Sequence, residues 1–257
     1  MTDLLQRREG GVLHLTLNRP EVRNAMSPEM VSGLRAAFAH ARNAAEVRAV
    51  VLRGAGGHFC AGADLKAMAS RPRDFHSMAA ANASFGEMCV EFAALPMATV
   101  AVVEGTVMGG GFGLACVADV AIAGTSAVFR LPETSIGVVP AQIAAYLVER
   151  LGYSEARRLA VSGGKLDAQA ALAIRLVHAV HADTELDAAL ARTLHELLQC
   201  APQAVAATKT LIAKARFTPP ADLVQEAAGV FARAASGEEG IEGSTAFVQK
   251  RKPKWAP

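Results

Sequence analysis

The alternation of Val12-Leu13-His14-Leu15-Thr16-Leu17 predicts a strand, and the Asn18-Arg19-Pro20 behind it has loop chemistry. A helix is predicted next. Ser27 suits its cap, Pro28 its first position and Glu29 its positive end, while Met30, Leu34, Ala37, Phe38 and Ala41 form an apolar stripe at helical spacing. Residues 47–52 then read as a buried strand, Gly54-Ala55-Gly56-Gly57 as a break, and His58 to Asp64 as a loop. A helix is predicted over the region 75–95, a strand over 99–103, a glycine-opened apolar helix from Gly109-Gly110-Gly111, and strands over 119–123 and 127–130. From Ala141 onward the pattern is helical apart from a late strand at 176–180, and Pro202, Pro219 and Pro220 mark helix starts. Strands alternating with helices predict an α/β architecture with buried strands, in which short strands and irregular connections argue against a regular doubly wound sheet.

Composition narrows the class. At 257 residues, with 52% hydrophobic and 19% charged positions, the chain has apolar surface enough for a core without crosslinks, and long disorder is excluded. Its length suits one large domain with an appendage: a core over 1–200 and a helical region over 201–257. Twenty-six Lys and Arg against 24 Asp and Glu leave +2, which argues against nucleic acid or anionic lipid as the main partner. Cys60, Cys89, Cys116 and Cys200 form no CxxC, so a reducing compartment is expected. With no leader pattern and no apolar run of membrane length, the expectation is a soluble cytoplasmic protein.

Two loops attract attention for their chemistry. Gly109-Gly110-Gly111-Phe112-Gly113 fails the dinucleotide pattern at its last glycine, and no Walker motif occurs. A glycine run before a helix either permits tight packing or aims free N–H groups at developing negative charge. The small residues of Cys60-Ala61-Gly62-Ala63-Asp64 leave a second set of backbone donors open to the same two readings. Donors from both converging on one oxygen would form an oxyanion hole. Glu133 stands between apolar Leu131-Pro132 and Gly137-Val138-Val139-Pro140, where desolvation would raise its pKa toward a general-base range, and a solvated turn carboxylate is the alternative. Glu104 beside Gly105 is a weaker candidate of the same kind. His58 with Cys60 reads as a metal pair, a nucleophile with its base, or ordinary packing. The cluster Lys250-Arg251-Lys252-Pro253-Lys254 reads as a solvated tail or a phosphate contact.

Together, Asn18-Arg19-Pro20 with Asn24-Ala25, Cys60 through Leu65, Gly105 through Gly111, Pro132-Glu133 with Gly137 and Pro140, and the closing Phe247 to Trp255 resemble the crotonase superfamily, the enoyl-CoA hydratase/isomerase family, over essentially the whole chain. The resemblance implies a crotonase-like spiral of β-β-α repeats with a C-terminal helical trimerisation region, assembled as a homotrimer or homohexamer. It implies an acyl-CoA thioester substrate, in which coenzyme A is part of the substrate, with no cofactor, no metal, no nucleic acid and no membrane. It places the backbone donors at Ala63 and Gly110 and the acid/base at Glu133. Ala25, Ala61, Asp64 and Leu65 fall on positions lining the CoA pocket, and Gly109, Gly113 and Pro132 are further substrate-binding positions. Arg23 and Lys66 fall where basic side chains approach the phosphates, and Phe247 and Lys250 where they reach a neighbouring subunit's CoA.

The family's best-known hydratases carry two glutamates, and Gly113 occupies the place of the first. That departure is expected to leave room for a bulkier acyl chain. It leaves three activities open: enoyl-CoA hydratase, the first expectation; 3-enoyl to 2-enoyl-CoA isomerase, which needs one carboxylate; and a non-catalytic acyl-CoA-binding protein. Gly111-Phe112-Gly113-Leu114 with Pro140 to Tyr146 resembles most the branch acting on methylglutaconyl- and isohexenylglutaconyl-CoA.

Overall fold

The computed structural model describes residues 2–69 and 74–257. Its chain opens with a strand that the hydrophobic pattern does not announce, β1 (Leu4–Glu9), antiparallel to β2 (Val12–Leu17). LLQRRE is almost wholly exposed, so apolar alternation has nothing to report, and the strand is held by its ladder to β2. The overlooked signal was the turn: Gly10 and Gly11 lie at φ +53° and +80°, the pair of left-handed positions a two-residue hairpin needs.

After β2 come α1 (Pro28–Asn43), β3 (Ala49–Gly54), α2 (Leu65–Ala69), α3 (Phe75–Ala93), β4 (Ala98–Val103), β5 (Thr106–Met108) and α4 (Gly110–Val117). Then follow β6 (Val120–Gly124), β7 (Val128–Arg130), a 3-10 turn at Glu133–Ile136, α5 (Ala144–Ser162), β8 (Lys165–Asp167), α6 (Ala168–Ala173) and β9 (Ala179–His181). The chain closes with α7 (Leu186–Leu198), α8 (Pro202–Ala215), α9 (Pro220–Ser236) and α10 (Glu238–Val248). A six-stranded sheet runs β1-β2-β3-β4-β6-β9 and a three-stranded one β5-β7-β8. Consecutive strands β4 and β5, then β6 and β7, pass from the large sheet to the small one; α4 returns the chain after the first pair, and α6, behind β8, after the second, which is the expected β-β-α spiral.

The large sheet is covered on both faces. Val51, Val100, Val102 and Ile122 pack under Leu186, Leu190 and Leu194 of α7, while Val50, Leu52, Ala101 and Val103 face the main core with Phe38, Phe92 and Phe112. Burial on both sides explains why β4 reads as an unbroken apolar run rather than an alternation. Helix α1 forms as expected, with the Ser27 hydroxyl accepting the Met30 N–H at 3.0 Å. Such a cap contributes ~1 kcal/mol. Each fully buried Leu or Phe contributes ~1.5–3 kcal/mol, so Leu34 and Phe38 decide where α1 lies. The late strand is displaced: Leu176 and Val177 are buried in a turn, and pairing with β6 covers only Ala179–His181. Pro219 caps α9 rather than entering it.

Candidate active site

Three segments meet at the N-terminus of α4. The first runs through Arg19 to Met26, where Asn24 is fully buried at φ +56°. Its Oδ1 accepts the Arg19 N–H (2.8 Å), and its Nδ2 donates to the carbonyls of Ala55 (2.9 Å) and His58 (2.6 Å). With both ends of the amide used, Asn24 ties this loop to the 55–63 segment. Ala61 N donates to Arg23 O (2.9 Å) and Met26 N to Gly62 O (2.8 Å).

The second segment is thereby laid against β5, where Cys60 N donates to Thr106 O and Met108 N to Cys60 O, each at 2.9 Å. Contact with the glycine helix is close. A Cβ on Gly111 would stand 2.5 Å from Cys60 O, and one on Gly62 would stand 2.9 Å from Met108 O and 3.4 Å from Gly110 N. Gly62 also sits at φ +85°, so neither space nor backbone allows a side chain there. Asp64 then starts α2, its Oδ1 accepting Ala67 N (3.0 Å) and its Oδ2 the Arg19 Nη2 (3.0 Å). The Ala67 amide, opposed by burial and helped by the Arg19 guanidinium, holds this carboxyl below its ordinary range. Ala63, between Gly62 and Asp64, is fixed from both sides.

At the first turn of α4, Gly109 N donates to Arg130 O (3.1 Å), and Gly113 N to Gly109 O (3.0 Å). Among the described residues neither the Ala63 nor the Gly110 amide has a hydrogen-bond acceptor. An unpaired N–H at a helix N-terminus is expected from helix geometry. The second comes from another segment, whose Gly62 would carry a Cβ 3.4 Å from Gly110 N.

The third segment carries Glu133, which opens the 3-10 turn behind β7 and is followed by Gly137 at φ +76°. A Cβ on Gly109 would stand 3.0 Å from Glu133 Oε1 and 3.7 Å from Gly62 Cα, so the carboxylate lies over the junction of the two donor loops. Its Oε2 is buried with no hydrogen-bond partner among the described residues. Burial raises the Glu133 pKa, opposed by its own backbone N–H. The solvated-turn alternative is therefore overturned.

Several other expectations change. Gly113 is buried, and the space its side chain would take is filled: a Cβ there would lie 2.1 Å from Ile143 Cγ2 and 2.9 Å from Ile143 Cβ. It opens no room for an acyl chain, because Ile143 occupies that volume. Glu104 faces Arg53 in an ion pair at 3.7 Å. His58 Nδ1 accepts the Thr106 N–H at 3.1 Å, and burial pushes the Cys60 thiol up to about 12, so this pair is packing rather than a nucleophile and its base. Arg23, Leu65 and Lys66 are exposed, Ala25 is buried, and Ala61 and Pro132 are half-buried. Phe247 and Lys250 are exposed on and just past α10. Pattern reading missed the walls. A Cβ on Gly110 would meet Met26 Cε at 3.0 Å and Phe85 Cζ at 3.1 Å, and Gln142 Nε2 donates to Asn82 Oδ1 (2.8 Å) where Gly86 lets the glutamine approach α3. Only contact across three segments distinguishes these from ordinary core side chains.

A sequence profile of enoyl-CoA hydratase/isomerase matches residues 7–257. The chain belongs to the enoyl-CoA hydratase/isomerase family. Its fold superposes on that of Pseudomonas aeruginosa AtuE with a TM-score of 0.97, at 51% identity over 99% of this chain and 100% of that one. It is 32% identical over 256 residues to the 2,3-dehydroadipyl-CoA hydratase of Escherichia coli K12, covering 98% of each chain. It is 30% identical over 259 residues to the mitochondrial methylglutaconyl-CoA hydratase of Mus musculus, covering 98% of this chain and 81% of that protein. The family and its crotonase fold are thus those that the motifs suggested, and the chain is an enzyme of the crotonase family.

Proposed function

We propose that the protein is an enoyl-CoA hydratase, adding water reversibly across the double bond of an enoyl-CoA thioester. The observation that carries this reading is the buried, unpartnered Glu133 Oε2 beside the junction of the Ala63 and Gly110 loops. The two amides hold the thioester oxygen, which draws electron density from the double bond and makes the β-carbon electrophilic. Glu133 takes a proton from water as its oxygen bonds to that carbon, then returns the proton to the α-carbon of the enolate. One carboxylate thus completes the addition, and microscopic reversibility makes it the acid and base of dehydration. Residues that follow Ala63 and Glu133 in the chain, Leu65, Met68, Ile136, Val138 and Val139, expose apolar side chains suited to an acyl group. Arg23 and Lys66 are exposed cations for the phosphates of CoA. The names of the methylglutaconyl- and dehydroadipyl-CoA hydratases favour an enoyl substrate that bears a second carboxyl group.

The second reading is 3-enoyl to 2-enoyl-CoA isomerisation, favoured by Ile143 standing where Gly113 would otherwise admit a second acidic side chain. Turnover of a panel of linear, branched and glutaconyl-type thioesters in oxygen-18 water separates the two. Hydration puts label in the product, and double-bond migration with no label would replace it by the isomerase. Turnover of neither kind would leave acyl-CoA binding without catalysis.

The chain's domains are proposed to be the spiral core over 1–200 and an oligomerisation region over 201–257. Helices α8 and α9 bury none of their residues within the single chain, and Phe217, Phe231 and Phe247 are 79%, 74% and 85% exposed. An apolar face of that extent marks an interface, and a second copy of the chain is the occupant we assign, in a trimer or a dimer of trimers. Phe247 and Lys250, exposed on and just past α10, would then approach a neighbour's CoA. Sedimentation at micromolar concentration is expected to give a trimer or hexamer, and a monomer would refute the assignment. Among the described residues no helix is long and apolar enough to cross a membrane. The four cysteines are free thiols, which supports a reducing compartment; the cytoplasm is the one we propose.

A further inference from the structure

Helix α4 carries the Gly110 amide at one end, and at its other end, among the described residues, one side chain hydrogen-bonds its backbone. Arg150, from α5, donates from Nε (3.2 Å) and Nη2 (2.9 Å) to Cys116 O, and from Nη2 to Ala118 O. Among the described residues it is the one side chain that hydrogen-bonds the backbone of α4 or its C-cap Ala118. Nη1 lies 3.0 Å from Nε2 of His178, whose ring is fixed by the Ala121 N–H donating to Nδ1 at 2.9 Å. The guanidinium is thus gripped on one side and grips the helix with the other.

We propose that Arg150 is a positioning residue for the reaction, anchoring the C-terminal end of α4 so that the Gly110 amide at its N-terminal end stays aimed at the thioester oxygen. This rests on the reading of Gly110 as an oxyanion donor. An eight-residue helix is about 12 Å long, short enough for a shift at one end to reach the other with little loss. Its glycines at 110, 111 and 113 have no side chains to interlock with neighbours, and the core packing of Phe112 and Leu114 is non-directional, so the hydrogen bonds at its two ends add the directional hold. Arg130 O sets the N-terminal end through Gly109, and Arg150 sets the other. A cation at the C-terminal carbonyls also complements the helix dipole, whose positive end points at the developing negative charge. Because α5 begins directly after Ile143, which seats against Gly113, Arg150 and Ile143 fasten the same two helices together at successive points. That keeps the amide in register with the segment bearing Glu133.

The test is optical and kinetic. A cinnamoyl-type CoA thioester absorbs at longer wavelength when its carbonyl is polarised, so the red shift on binding reports the donors directly. Wild-type protein is expected to show the shift, and Glu133→Gln to keep it in full. Arg150→Ala is expected to lose most of it and to lower kcat about 10- to 100-fold, as a small misplacement of a donor does, with KM close to wild type. Arg150→Lys, which restores the charge without the fork, should recover part of both. Arg150 lines an open cleft of about 600 Å³ together with Asp119, Arg175 and His178, so water can replace it and the fold should survive. Should Arg150→Ala nevertheless fail to fold, Arg150→Met keeps the apolar stem and decides by the same readouts. A variant with full red shift and unchanged kcat, or with loss confined to thermal stability, overturns the proposal while leaving the Gly110 reading intact. A wild-type protein with no red shift overturns both.

Discussion

Glu133→Gln is expected to lower kcat by about 10²–10⁴, the range for a lost general acid–base, while binding of the CoA portion is retained. The side chain sits where a Cβ on Gly109 would lie 3.0 Å from its Oε1, and its Oε2 has no partner among the described residues. Gln keeps the shape and removes the proton transfer, so near-full turnover of the true substrate would show that Glu133 is not the base. Because hydration begins from the carboxylate, the acidic limb of the rate profile should lie above the usual glutamate range, as burial dictates. The same shift acts on stability. A carboxyl whose native pKa exceeds its unfolded one favours folding when protonated, so its contribution is complete below the unfolded value and is lost as pH rises through the native value. Glu133→Gln should therefore melt above wild type at neutral and alkaline pH and lose that advantage in acid. An equal difference across the whole range would contradict the buried, unsatisfied carboxylate.

Gly113→Ala is expected to destabilise the protein by roughly 1–3 kcal/mol, the cost of overpacking a filled core. The new methyl group would stand 2.9 Å from Ile143 Cβ, an atom the backbone fixes, so no rotamer of Ile143 relieves the contact. Ile143→Ala alone should cost about 2–5 kcal/mol through the cavity left behind. In that background the cost of the first change should shrink, because the contact with Ile143 Cγ2 at 2.1 Å is gone while the one with Cβ at 2.9 Å stays, and Ala gains about 1 kcal/mol of helix propensity over Gly. Thermal unfolding of the four proteins at one concentration tests this, since linked assembly would otherwise move the midpoint. Additive effects would mean that Ile143 does not occupy the volume in front of Gly113. Reciprocal coupling would show that this chain closed the second-glutamate position with a hydrocarbon side chain.

Some of this molecule was legible along the chain because the relevant information is local. The cap and stripe of α1 lie within sixteen residues, β4 declares itself by an unbroken apolar run, and glycines at 109–111 announce a close approach because only glycine tolerates one. The motifs carried the family, since their residues serve a backbone that must take the same path. Other features depend on what another segment brings. The exposed strand β1 is held by pairing with β2, Asp64 proved to be the cap of α2 and partner of Arg19, and the emptiness inferred at Gly113 was filled by Ile143 thirty residues away. Whether a small residue marks a void or a tight contact, and whether a carboxylate in a turn meets water or an apolar wall, are properties of the volume around it. A one-dimensional pattern records which side chain is present, whereas solvation and close contact belong to neighbours distant in sequence, so the tertiary structure alone decided the environment of Glu133 and the anchoring of the helix that faces it.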